Sequence, residues 1–198
     1  MYTENSMREM GERKRDARWE RSRRKIVRAL LGILDREQYA LTVRPSRVYR
    51  AAKVGRSTFR RHYRVVNEIL EQEDAVLMKK FDKILNGVDS DMVMWRKVLI
   101  LMAKNREVLL VRLRQRDDRV FRTMIEKINR QRDFGWQRYD VGVRSEIFEM
   151  FYSEAVGTIN IWVKKKMSIE MVPKIARRLE HLATTADKRW RQVVTDEF

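Results

Sequence analysis

The sequence contains no cysteine, which excludes disulfides, thiolate nucleophiles and cysteine-ligated zinc. Proline and glycine are scarce, two and seven in 198 residues, so few positions interrupt a helix. No stretch alternates apolar and polar residues as a half-buried strand would. The longest apolar runs, such as Val98 to Ala103, are too short to cross a bilayer. The polar start, Met1 to Arg28, lacks the apolar centre of a secretion signal. Histidine occurs only at His62 and His181. No glycine-rich phosphate loop, HExxH zinc motif or nucleophile elbow is present. The neighbouring acids Asp117 and Asp118 would project to different sides of a helix and suit a cap. These absences point away from an enzyme: no catalytic residue, metal ligand or cofactor is expected. They also point toward a cytoplasmic protein with no membrane span.

What is present is apolar content and positive charge. Apolar residues make up 43% of the chain, enough to bury a core. Arg, Leu, Met, Glu and Lys are abundant and breakers few, so an all-α fold is expected. The net charge is +17, and it is unevenly placed. Residues 1–66 hold 19 basic and 7 acidic side chains, a net +12, against +5 for residues 67–198. Between Gln38 and Asn67 there is no acid, whereas Arg44, Arg47, Arg50, Lys53, Arg56, Arg60, Arg61 and Arg64 all fall there. Solvated surfaces usually mix signs. A basic cluster without acids suits a polyanion, either nucleic acid or an anionic membrane surface.

Apolar spacing divides the chain into a polar arm over 1–16, a small domain over 17–66 and a larger helical domain over 67–198. A first helix is expected from about Ala17 to Arg36, with Trp19, Ile26, Leu30, Ile33 and Leu34 on one stripe. The arm could extend it. The stretch Gln38 to Thr42 breaks the pattern. Pro45 suits the first turn of a short second helix. Gly55 marks a turn, and a third short helix follows with Phe59 and Tyr63 facing inward. A long helix should run from Val65 to Leu85 and stop at Asn86-Gly87. Medium helices follow, capped by Asp89 or Ser90, by Asn105, and by Asp117 or Asp118. Two long amphipathic helices close the chain, from about Tyr139 to Lys165 and from shortly after Ser168.

The informative segment is Thr42 to Ile69. Two short helices joined through Lys53-Val54-Gly55 form a helix-turn-helix. In that motif the start of the second helix meets base edges in the major groove. Here it presents Arg56, Ser57, Thr58, Arg60, Arg61 and His62, all donors and none anionic at neutral pH. Arginine can read guanine bidentately, and a hydroxyl can bond a base or a phosphate.

Residues Ala52-Lys53-Val54-Gly55-Arg56-Ser57-Thr58-Phe59-Arg60-Arg61-His62-Tyr63 resemble the recognition segment of the TetR family of transcription regulators. That segment usually reads Ala-Gly-Val-Ser-(Lys/Arg)-(Gly/Ser)-Thr-(Leu/Phe)-Tyr-x-His-(Phe/Tyr). The match holds at Ala52, Val54, Arg56, Ser57, Thr58, Phe59, His62 and Tyr63. The resemblance implies a three-helix DNA-binding domain followed by a helical-bundle domain, about nine helices in all. It implies a dimeric repressor on a palindromic duplex operator, released by a small-molecule effector of unidentified kind. Arg56, Ser57 and Thr58 would lie nearest base edges, with Arg44, Ser46, Arg47, Arg60, Arg61 and His62 on or beside the phosphates. Arg21, Arg23, Arg24 and Lys25 would reach the flanking backbone. Three departures bear on these contacts. Arg60 replaces a tyrosine, Val66 replaces a lysine, and the approach from Thr42 to Val48 is longer than usual.

The resemblance also implies a homodimer through residues 145–165 and 170–193, whose apolar stripes could pair with a second copy or be buried within one chain. Of these, the dimer is expected. Trp95, Met102, Phe121, Met124, Phe148 and Tyr152 are candidate walls of an effector pocket, although Met and aromatic residues at helical spacing are more often ordinary core. Two alternatives use the same features differently. One is a helical adaptor that binds a protein or membrane surface. The other is nucleic-acid binding without sequence preference.

Overall fold

A computed structural model describes the backbone of residues 4–36, 42–114 and 117–196, and side chains over 17–36, 42–114 and 117–195. The side chains of the polar arm and most of the break after the first helix lie outside the described residues. Among those described there are nine α-helices and no strand. They are α1 (Glu4–Leu34), α2 (Pro45–Ala51), α3 (Arg56–His62), α4 (Asn67–Asn86), α5 (Asp91–Lys104), α6 (Arg106–Arg114), α7 (Arg119–Gln131), α8 (Val141–Lys164) and α9 (Val172–Asp196). No described helix is long and apolar enough to cross a membrane. The chain divides into two compact units, Met1–Glu73 and Asp74–Phe198.

In the first unit α1 packs on α2 and α3. Ile26, Leu30 and Leu34 of α1, Val48 of α2 and Phe59 of α3 are nearly solvent-free, as are Tyr63, Ile69 and Leu70. Helical backbone begins at Glu4, so the polar stretch continues the first helix. Pro45 occupies the first turn of α2, where its missing N–H is not needed. Val66 is also buried, so this departure from the lysine pattern adds to the core.

The turn between α2 and α3 departs from expectation in one detail. Gly55 has φ −70 and ψ 154, an extended conformation open to any residue. The left-handed residue is Lys53, with φ 52. The Val54 and Lys53 amides donate to Tyr49 and Arg50 carbonyls and close the turn there. A residue with a Cβ is strained in that conformation, because the Cβ crowds the following carbonyl oxygen.

In the second unit α9 packs on α8 and α5, and α5 meets α6. Its core includes Trp95, Phe121, Ile128, Trp136, Phe151, Trp162 and Leu179. Ser90 caps α5 by accepting from the Val93 amide, and Asp140 caps α8 by accepting from the Val143 amide. A 3-10 turn, Ile169–Met171, precedes α9, which places Pro173 in the first turn of the helix.

The apolar stripes of α8 and α9 are spent inside the chain. Ile147, Phe151, Ala155, Ile159 and Trp162, with Val172, Ile175, Leu179, Leu182 and Ala186, are all buried in this one copy. The outward faces carry Ser153, Gly157, Asn160, Ile161, Lys174, Arg177, Arg178 and His181. The stripes therefore contribute to the chain's own core.

Replacing Lys53 with glycine should stabilise the first unit. Relief of left-handed strain, about 1–2 kcal/mol, exceeds the extra unfolded-state entropy of glycine, about 0.5–1 kcal/mol. Urea unfolding should show a rise of roughly 0.5–1 kcal/mol for K53G. A fall would mean that the lysine stem contributes more than its backbone costs.

Candidate nucleic-acid interface

Seven residues are too few to hold a helix in water without tertiary contacts. Phe59 and Tyr63 supply the first of these contacts to α3. Both are 1% exposed, with ring centroids 6.0 Å apart. Tyr49 of α2 lies 6.2 Å from Phe59 and ties the two short helices together. The inner face of α3 is thereby committed to the core, and the opposite face is left to solvent.

Arg56, Ser57, Arg60 and Arg61 of α3 are exposed, and Thr58 is half-buried. On α2, Arg44 and Arg47 are exposed and Ser46 is half-buried. Arg50, Lys53 and Arg64 extend the same exposed positive set. None of Arg44, Arg50, Arg56, Arg60 and Arg61 has a carboxylate partner among the described residues. Eight cations thus crowd two short helices and their flanks. Salt or a polyanion would relieve their mutual repulsion.

Three acids of the first unit, Glu20, Glu73 and Glu68, have partners of their own. Glu20 accepts from the Arg23 guanidinium, whose hydrogen bond holds the Glu20 carboxyl below its ordinary range against the opposing effect of burial. Glu73 pairs with Arg23 from the other side. Glu68 accepts from the Arg64 amide at 2.7 Å, satisfying a donor just ahead of α4. Arg23 is therefore committed to two carboxylates, whereas Arg21, Arg24 and Lys25 are exposed on α1.

His62 does not belong to the outer face. It is buried, 9% exposed, with its ring centroid 3.7 Å from that of Trp19. Its Nε2 lies 2.7 Å from Ser22 Oγ. The Ser22 hydroxyl also reaches the Trp19 carbonyl at 2.8 Å. His62 thus holds α3 against α1. Sequence periodicity missed this because histidine is compatible with either face of a helix. Trp19, an expected core residue of α1, is 45% exposed and forms a lid over the imidazole. The i, i+3 spacing of Trp19 and Ser22 was the signal that could have located the partner of His62.

In the second unit five of the six expected pocket residues converge. Trp95, Met102, Phe121, Met124 and Tyr152 line one cavity together with Asp118 and Asn160. Phe148 does not line it. That ring stacks on Tyr152 at 6.1 Å and lies under the Arg122 guanidinium. The cavity measures about 30 Å³, room for one water, whereas drug-sized ligands need roughly 300 Å³ or more. The Tyr152 hydroxyl donates to Asp118 at 2.7 Å, beside the cavity.

No family model, no curated protein and no solved structure matches this chain.

Burial, and the positive charges of Arg23 and Arg61, push the His62 imidazole below its ordinary value. The folded state therefore holds it neutral. Below about pH 6.5 the unfolded chain binds the extra proton more readily. Stability of the first unit should fall as pH drops from about 6.5 toward the lowered folded value. Glu20 adds a further loss at lower pH. Urea unfolding between about pH 7.5 and 5 should show this slope, and His62→Gln should flatten its upper part. An unchanged slope in H62Q would place the titrating group elsewhere.

Proposed function

We propose that this chain is a cytoplasmic, sequence-specific DNA-binding regulator of transcription, a TetR-like homodimer that represses from a palindromic operator. One observation carries the proposal. Two short helices, joined by a left-handed turn and braced on α1, turn out a face with arginines and hydroxyls and no acid between Gln38 and Asn67. Arg56, Ser57 and Thr58 would meet base edges, and Arg44, Ser46, Arg47, Arg60 and Arg61 would meet phosphates. Lys53 adds support: it stands where the resembling segment has glycine, and it adopts the conformation that glycine favours.

A dimer on the operator would use the outward faces of α8 and α9. Gly157 and the exposed Ile161 would allow close approach there. An effector would have to displace methionine or aromatic side chains, because the cavity beside Trp95 holds about 30 Å³. Methionine is the side chain best suited to such repacking.

Variants at Arg56 and Thr58 test the proposal. In a duplex containing the selected site, R56A and T58A should each weaken binding by about tenfold and relax preference at one base pair. R60A should weaken all duplexes alike and lower the salt slope by about one. Unchanged affinity and preference in R56A and T58A would reject α3 as the reading helix. Equal loss on every duplex would favour binding without sequence preference.

A further inference from the structure

An open groove of about 610 Å³ lies within the second unit, where the end of α7, the following loop and the start of α8 come together. It is distinct from the small cavity beside Trp95. Its apolar surface is Trp136, Phe148 and Val141. Trp136 and Phe148 are buried core residues, while Val141 is 73% exposed at the start of α8. The polar part of the lining is Asn129, Arg130, Gln137, Arg144 and Ser145, with no acid.

The donors on this wall are largely uncommitted. Arg144 is exposed and makes no side-chain hydrogen bond or ion pair among the described residues. Arg130 has only Glu126, at 3.9 Å and on an exposed surface, a pairing of little strength. The acids flanking the groove in sequence have other partners: Glu146 accepts from Trp190, Glu149 pairs with Arg122, and Asp133 and Asp140 turn to the backbone. Asp133 accepts from the Gly135 amide at 2.8 Å, and Asp140 from the Val143 amide at 3.1 Å. Gln137 is the exception among the donors, with its amide nitrogen bonded to the Arg132 carbonyl at 2.7 Å.

We propose that this groove binds an amphipathic organic carboxylate, with an aromatic or branched apolar body. The body would lie on Phe148, Trp136 and Val141, covering an otherwise exposed valine. The carboxylate would be held between Arg144 and Arg130, with Ser145 as a further donor. Arginine forks suit a planar carboxylate. A polyphosphate would gain nothing from the apolar wall, and a neutral hydrophobe would leave the arginines as they are. This site is independent of the proposed DNA face, since its residues all lie between Asn129 and Phe148.

The full chain, titrated calorimetrically with 2-naphthoate and separately with 2-naphthalenemethanol, tests it. Naphthoate should bind at one site per chain, and the alcohol should bind at least about tenfold more weakly. R144Q and R130Q should each weaken naphthoate by about tenfold, and V141D should weaken it further by placing an acid at the rim. R106Q, an exposed change at the start of α6 outside the groove, is the control for general charge and should leave naphthoate binding unchanged. None of the four positions is in the core. Equal binding of acid and alcohol, or equal loss in R106Q and R144Q, or no loss in R144Q and R130Q, would overturn the proposal.

Discussion

Everything proposed for the first unit depends on how the inner face of α3 is held. A seven-residue helix pays the nucleation cost with too few hydrogen bonds to recover it. Phe59 and Tyr63 recover it by burial, each about 1.5–3 kcal/mol. His62 adds a hydrogen bond to Ser22 and a ring contact to Trp19. These contacts set the rotation of α3 about its own axis. A turn of one residue, about 100°, would bury an arginine and expose an aromatic ring. The outward direction of Arg56, Ser57, Arg60 and Arg61 is thus a consequence of packing, and the three arginines have no carboxylate partner among the described residues.

The all-helical fold and the inner residues of α3 were legible in the sequence because both follow from period. Ile26, Leu30 and Leu34 recur at a four-residue interval that only a helix converts into one face. Phe59 and Tyr63 do the same over a single turn. His62 was not legible, because an imidazole can be neutral and buried or charged and exposed, and its neighbours in space lie forty residues earlier in α1. The turn was legible in existence but not in detail. Gly55 drew attention as the flexible residue, yet Lys53 takes the left-handed conformation, since the closing hydrogen bonds run from α2.

In the second unit, periodicity identified buried stripes but could not say what buries them. The stripes of α8 and α9 suit another chain as well as their own, and here they meet each other and α5. Phe148 shows the same ambiguity at one residue. It lies one turn from Tyr152, yet only Tyr152 reaches the cavity, while Phe148 faces the groove on another side. Buried charge was also invisible in one dimension. Arg112, 4% exposed, is bonded to Asp117 at 2.8 Å and also to Asp74, whose carboxyl burial pushes upward despite that partner. The Arg119 hydrogen bond holds Asp117 below its usual range. Such a network favours one arrangement of α4, α6 and the start of α7, because removing Arg112 would leave Asp74 without its ion-pair partner.

The central claim is that the arginine face of α2 and α3 reads a duplex sequence. Selection of bound duplexes from a random pool by the full chain tests it most directly. A reading face of this kind should enrich a twofold-symmetric motif, with half-sites about one helical turn apart, or about 10 base pairs. A pool that is retained by the protein, but shows no enriched motif after repeated selection, would contradict it.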